Sequence, residues 1–464
     1  MFRPLASRPP VIAIFSCLFL FAWTAPRAAE TPRPAPTLAE QPLADFKARR
    51  DQLQKQLTDG ITLVPGRVEE SLGVSEKFFQ DENFFYLTGV EAPGAVLLLT
   101  PTPYQGARQI LFLPRRNPQT ERWTGPQPGP DREAEQSFGV DKALPTDALA
   151  QVLRELSATP YFKDGCKIHL VANPDEARDR AVQRLVERLR RDLPALPIQD
   201  ARSAVSLMRM RKTPAEIALL KKAVRITGEA FQEIPKHLAA GCYEYELEAV
   251  VLATFYRNGA ERPGYPCIVG GGRNATILHY NRNRDQILDG DLVVVDVGAQ
   301  YRGYTADITR TFPANGQFTP RQRAIYEVAL AAQEAAVKAF TPGKSRMSDL
   351  TLAARDAMRA SPLRAGKQLT LDNFFIHGLG HFIGLNVHDV GDYAQPLPPG
   401  SVITIEPGIY IPEERIGIRI EDDYLVTETG LVKLSGDIPS RPEAIEQAMQ
   451  RARRSPGRTR SAKD

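Results

Sequence analysis

Two strand-like segments carry the reading of this chain, LVVVDVG at Leu292–Gly298 and TADITRTF at Thr305–Phe312. Both are rich in β-branched residues, and Arg302 and Gly303 supply a turn between them, so they are expected to pair as a hairpin. A hairpin brings together Asp296 and Asp307, which lie eleven residues apart. Asp296 is flanked by valines, where an ionised carboxylate is costly unless it is paired or bound to a cation. Each aspartate taken alone also fits an edge-strand or turn position, so the reading rests on what else the chain brings to them.

Of the six histidines, at 169, 237, 279, 377, 381 and 388, the last four share a stretch with further unusually placed acids. His377, His381 and His388 lie in FFIHGLGHFIGLNVHDVG, residues 374–391. Histidines four apart would suit a zinc-binding helix of the HExxH type, but that motif needs glutamate where Gly378 stands, and Gly380 follows. An extended segment is expected instead, with 377, 379 and 381 on one face. Any one of these histidines alone fits a hydrogen-bonded core residue equally well. Glu406 sits in the apolar strand VITIEPG and Glu421 in IGIRIEDD, where alternation puts Arg419 on the same face as Glu421; a salt-bridged strand end is the plain alternative. Taken together, four carboxylates and one histidine offer too many oxygens for a structural zinc site. Hard ligands favour manganese or a similar ion, with negative charge enough for two, and paired divalent ions perform metal-assisted hydrolysis.

The rest of the chain reads as alternating helices and strands. Thr213 with Pro214 and Glu216, and Thr319 with Pro320 and Gln322, are capping-box signatures that open two helices, the second running to Phe340. Further helices are expected over Tyr245–Arg257 and Ser348–Ala360, and strands over Val402–Glu406, Ile416–Glu421 and Tyr424–Thr427. Towards the amino terminus the pattern is mixed α/β: a helix over Phe46–Leu57, strands over Phe84–Leu87, Ala95–Thr100 and Ile110–Leu113, a long loop over Asn117–Pro130, and a helix over Asp175–Arg190.

The 464 residues carry 59 Lys plus Arg against 55 Asp plus Glu, with 42% hydrophobic residues, as in an ordinary globular protein of two or three domains. The charge is concentrated at the ends: the first 29 residues contribute +3 and the last 14 contribute +5, so the net +4 becomes −4 without them. No basic stripe with interleaved aromatics lies outside the tail, which argues against nucleic-acid binding. Arg3 and Arg8 precede the apolar run Val11–Trp23, about 13 residues, the pattern of an export signal; an uncleaved membrane anchor is the alternative. Beyond it stand Cys166, Cys242 and Cys267, in no metal-binding or disulfide pattern and expected as buried thiols.

In their order, ILHY (277–280), VVVDVG (293–298), GYTADITRTFP (303–313), HGLGHFIGLNVHDVG (377–391), TIEPGIYI (404–411) and IGIRIEDD (416–423) resemble the creatinase/aminopeptidase family of the pita-bread fold. Within it they are most similar to aminopeptidase P (Xaa-Pro aminopeptidase) and prolidase. FFYLTGVEAPGAVLLL (84–99) extends the resemblance towards the amino terminus, so it covers roughly residues 42–449. The fold class it implies is α/β (α+β), a creatinase-like amino-terminal domain followed by a pita-bread catalytic domain. With the ends, the expected order is signal 1–29, linker 30–42, amino-terminal domain 43–201, linker 202–212, catalytic domain 213–449 and a basic disordered tail 450–464.

The resemblance also implies roles. Asp296 would bind one manganese ion, His381 and Glu406 the other, and Asp307 and Glu421 would bridge both. His388 would stabilise the tetrahedral intermediate, His279 and His377 would help place the proline residue, Arg419 would hold a bridging carboxylate, Tyr410 would line the pocket, and Glu406 would also handle protons. The implied reaction is hydrolysis of the bond between an N-terminal residue and a following proline by a hydroxide bridging two manganese ions, in a homodimer or homotetramer. A prolidase confined to Xaa-Pro dipeptides shares these motifs, and a non-catalytic peptide-binding member of the fold is the alternative from another class. A methionine aminopeptidase fits less well, because the extra amino-terminal domain is unusual for that branch.

Overall fold

The computed structural model describes residues 40–69, 77–162, 165–175 and 179–454. The expected signal, most of the first linker and the last ten residues of the tail lie outside them. Six strands, β1 (Gly60–Pro65), β2 (Val96–Tyr104), β3 (Ala107–Leu113), β4 (Lys142–Pro145), β5 (Lys167–Leu170) and β6 (Ile198–Asp200), build one sheet in the order β4-β3-β2-β1-β5-β6. β2 is antiparallel to β1 and β3, while β3–β4, β1–β5 and β5–β6 are parallel. A sheet covered on both faces needs apolar residues at every position of its central strands. That accounts for the unbroken run in β2: Val96 and Leu98 enter a core closed by helices Leu149–Ser157 and Arg180–Asp192, while Leu97 and Leu99 enter a second core with Phe46, Tyr304, Ile383 and Val402. All three cysteines among the described residues are buried, and none is in a disulfide.

Several local expectations are corrected. Phe84–Leu87 is not a strand but part of helix Glu82–Thr88, because Asp81 accepts a hydrogen bond from the Phe84 amide at 2.9 Å and Gly89 closes the helix at φ 66°. The two caps outweigh the β-preference of the aromatics. The loop expected over Asn117–Pro130 opens with helix Pro118–Thr124, capped by Asn117. The helix expected over Asp175–Arg190 runs from Arg180 to Asp192, with Asp179 as its cap. Residues 202–212, expected as a linker, hold helix Arg202–Met210, which forms because Val205 and Met208 lie one turn apart and bury in the second core. At the first linker's end, Gln41 Oε1 accepts from Arg49 Nη2 at 2.6 Å, so the chain is packed before residue 43. Helix Pro442–Arg454 likewise continues into the expected tail, its buried Ile445 and Met449 anchoring the last turns.

Past Lys212, helices Pro214–His237, Glu244–Arg257, Pro320–Ala339 and Met347–Ala360 accompany five small antiparallel sheets among the described residues, three of which position the site. Both capping boxes form as the sequence predicts, at Thr213 and Thr319. Thr319→Ala should therefore cost about 1 kcal/mol, read as a lower urea midpoint. The first sheet joins Ile268–Gly271, Leu292–Val297 and Ile308–Pro313, with Thr309 opposite Asp296. Its hairpin turn is made by Arg302 and Gly303, at φ 50° and 82°, the left-handed pair that matches strand twist. Val402–Ile405, Asp422–Val426 and Leu431–Lys433 form the second sheet, and Gly408–Ile411 pairs with Ile416–Arg419. Single bridges, Thr309 to Glu421 and Phe382 to Ile403, bind these sheets to each other and to the histidine-bearing segment.

Candidate metal centre and active site

The hairpin does what its sequence requires and carries Asp296 and Asp307 to one point, where the Tyr265 hydroxyl lies 2.6 Å from Asp296 Oδ1 and 2.5 Å from Asp307 Oδ1. The strand-like segment Thr305–Phe312 is interrupted at Ala306 and Asp307. There the Ala306 carbonyl comes so near Gly298 that a Cβ at 298 would lie 1.7 Å from it. That close approach, open only to glycine, turns Asp307 inwards. The bridge between Thr309 and Glu421 delivers the next carboxylate, and Thr309 Oγ1 donates to Glu421 Oε2 at 2.6 Å.

His377–Gly391 is not helical, as the glycines predict. Gly380 lies against the strand that leads to Glu406, where a Cβ would sit 2.0 Å from the Thr404 carbonyl oxygen. Backbone bonds from Thr404 N to the His381 carbonyl and from Glu406 N to the Leu379 carbonyl, at 2.9 and 2.8 Å, fix the two segments side by side. His381 Nε2 then stands 3.3 Å from Asp307 Oδ2 and 3.5 Å from Glu406 Oε1, while its Nδ1 faces the Phe382 carbonyl at 3.1 Å. Ligand atoms of Asp307, His381 and Glu421 all lie within 4.8 Å of one another.

These groups wall a cavity of about 400 Å³ that also takes His279, His377, His388 and Arg419 into its lining. His388 presents its ring 4.4 Å from the His381 ring, edge to face, and His279 lies 6.4 Å from His388. Tyr410 does not line the cavity. It is buried behind the wall, its hydroxyl 2.9 Å from both His377 Nε2 and Arg419 Nη1. Arg419 Nη2 pairs with Asp296 at 2.6 Å rather than with one of the two carboxylates expected to bridge, because Thr309 already occupies Glu421 on that side.

Three buried carboxylates and the partly exposed Glu406 face the Arg419 guanidinium and the His381 imidazole, and the protonation equilibria record the mismatch. Burial pushes Glu406 up to about 8, with the charges of Asp307 and Asp296 adding to it. Glu421 is driven well above the usual range by burial and then by Asp307, Glu406 and Asp296. Burial would lower His381, yet the hydrogen bond and charge of Asp307, with Glu406, hold it up at about 9. Burial and the neighbouring Arg419 lower His377 to about 4. Behind them Asp423 is fully buried, and its Oδ1 has no partner among the described residues. Such a set is incomplete without added positive charge.

Two family models match the chain: "Aminopeptidase P, N-terminal domain" over residues 46–161 and "Metallopeptidase family M24" over residues 218–428. Over 440 residues it is 37% identical to the Xaa-Pro aminopeptidase of Escherichia coli strain K12, a match covering 88% of this chain and 98% of that protein. The chain belongs to the aminopeptidase P family. Zinc-substituted Escherichia coli aminopeptidase P in complex with product is similar at TM-score 0.80 and 35% identity, covering 90% of this chain and 100% of that one. The same enzyme with the inhibitor Pro-Leu gives TM-score 0.79 at 35% identity and the same coverage. The architecture is thus an aminopeptidase P amino-terminal α/β domain followed by a pita-bread catalytic domain, and the protein is a metallopeptidase. Divalent metal ions go with that family, and the residues fit them: an oxygen-rich donor set with a single imidazole, short of positive charge.

Tyr265, Thr309, Thr404 and Asp423 belong to this site but do not stand out in the sequence. Thr309 and Asp423 each lie two residues beyond a carboxylate of the set, the spacing at which a strand repeats its face. That is the one signal that could have found them.

Proposed function

We propose that this aminopeptidase P family member hydrolyses the bond between an N-terminal residue and a following proline, using two divalent ions, manganese in the cell. Asp296 would hold one ion, His381 and Glu406 the other, and Asp307 and Glu421 both. The observation that carries this reading is the convergence of those five side chains with His279, His377 and His388 on one cavity. When bound, such ions lower the pKa of water and polarise a carbonyl. The chain's own residues supply the rest. Arg419 and Tyr265 hold Asp296, and Thr309 holds Glu421, so the donor oxygens are oriented before substrate arrives. His388 reaches into the cavity from the rim, where it donates to the oxyanion that develops as the carbonyl is attacked. A proline nitrogen carries no hydrogen in the peptide, so the leaving amine must gain a proton as the bond breaks; Glu406, on the cavity wall, passes it. His279 and His377 border the space left for the proline ring.

Release of the first residue from Xaa-Pro-Yaa and Xaa-Pro peptides by stripped protein, with and without added manganese, tests the proposal. Manganese-dependent cleavage of the tripeptide is expected. Cleavage of the dipeptide alone would make the protein a prolidase, and cleavage of neither would leave a binding module. His388→Ala should keep its metal, measured by elemental analysis, and lose roughly 100-fold in kcat.

The domain limits 43–201 and 213–449, export directed by the first 29 residues, and assembly as a homodimer or homotetramer belong to the same proposal. Export is supported by the basic opening and the apolar run Val11–Trp23.

A further inference from the structure

The segment that carries His388 has no regular secondary structure from Gly384 to Gly391, and among the described residues the His388 ring makes no hydrogen bond of its own. Apart from its edge-to-face contact with His381, its position therefore comes from the backbone on either side. On the carboxyl side, Asp389 is 5% exposed yet ionisable, and two cations close on it: Arg209 Nη2 on Oδ1, and Lys212 Nζ on Oδ2 at 3.3 Å. Both come from the short stretch that joins the amino-terminal domain to the catalytic domain. Arg209 spends its other arm on Asn83 Oδ1 at 2.8 Å, and Glu82 beside it accepts from Asn386 Nδ2 at 3.3 Å. Three ties thus run from outside the catalytic domain to residues flanking His388.

The packing at this point is built around the carboxylate. A Cβ on Gly384 would lie 2.1 Å from Asp389 Oδ2 and 3.0 Å from Lys212 Cε, so the segment folds back onto its own aspartate only because residue 384 has no side chain. The turn is closed by Asp389 N donating to the Phe382 carbonyl at 2.9 Å and His388 N donating to Asn386 Oδ1 at 3.1 Å. A buried ion cluster is weak evidence for stability, since apolar residues of similar volume often serve as well. What it does supply is a fixed geometry, and here that geometry ends one residue from His388.

We propose that Arg209 and Lys212 are positioning residues for His388, acting through Asp389, so that the junction between the domains sets the placement of the oxyanion-stabilising imidazole. The proposal rests on the peptidase reading for its kinetic consequence and on geometry alone for its structural one. Arg209→Met and Lys212→Met should each lower kcat about 10-fold or more, with KM for an Xaa-Pro-Yaa peptide and metal content within about twofold of the parent. In a His388→Ala background the same substitutions should change kcat by less than about twofold, since the residue they serve is gone. Equal losses in both backgrounds would overturn the proposal, as would full activity in both variants. An independent readout is the His388 ring resonance in histidine-labelled full-length protein, identified by its loss in His388→Ala. It should move or broaden in Arg209→Met and return towards its place in Arg209→Lys. An unchanged resonance would overturn the positioning role even if no peptide proved to be a substrate, whereas a shifted one with an inactive parent would count against the peptidase reading only.

Discussion

Glu406→Ala is expected to lower turnover of Xaa-Pro-Yaa peptides by roughly 1000-fold and to reduce bound metal in the same preparation. Glu406 is the member of the set with two faces. One oxygen lies 3.5 Å from His381 Nε2, and the other lies 3.7 Å from His377 Nδ1. Loss of the carboxylate removes a ligand and a proton carrier together. The side chain is exposed only to about the same small extent as His381, so the substitution acts within the cavity rather than on the outer surface. Elemental analysis beside the kinetics separates the two losses. Metal retained with activity lost would assign Glu406 to proton transfer alone, and full activity would refute the proposed centre.

Arg310→Met should destabilise the catalytic domain by about 3–5 kcal/mol, the range for breaking a buried pair while leaving its partner charged. Arg310 is fully buried and pairs with the equally buried Asp422 at 2.6 Å. Its remaining donors reach the backbone carbonyls of Glu421 at 2.7 Å, Thr309 at 2.8 Å, Ile438 at 3.0 Å and Pro439 at 2.7 Å. One side chain therefore joins the strand that follows Asp307 to the strand that begins beside Glu421. Methionine keeps much of the volume and none of the bonds. Chemical denaturation measures the loss, and an unchanged midpoint would mean that Lys433, 2.7 Å from Asp422, neutralises it unaided.

What the sequence discloses and what it conceals divide along the range of the interactions. The capping boxes at Thr213 and Thr319 are legible because each is complete within four residues. The hairpin is legible because alternation and turn residues are local as well. The carboxylates announce themselves by being charged in apolar strands. Tyr265 does not, since its meaning lies in contacts to residues 31 and 42 positions away. For Phe84–Leu87 the signals are present in Asp81 and Gly89, but four large residues in a row read as a strand, and since all four are buried only the two caps decide otherwise. The exchange of Arg419 from a bridging carboxylate to Asp296 follows from side-chain packing between strands far apart in the chain, which no local pattern encodes.

The second core described above contains Val64, Leu97 and Leu111 from the six-stranded sheet together with Tyr304, Ile383, Leu385 and Val402 from the catalytic domain. Two of those residues flank Gly384, and Val402 opens the strand that ends at Ile405 and leads to Glu406. Interior surface held in common in this way forfeits modularity. Excising the amino-terminal domain would strip the back of the very segments that carry the histidines and leave an apolar wound in its place. The two domains of this chain thus share one interior, and a different amino-terminal partner would have to cover the same apolar face.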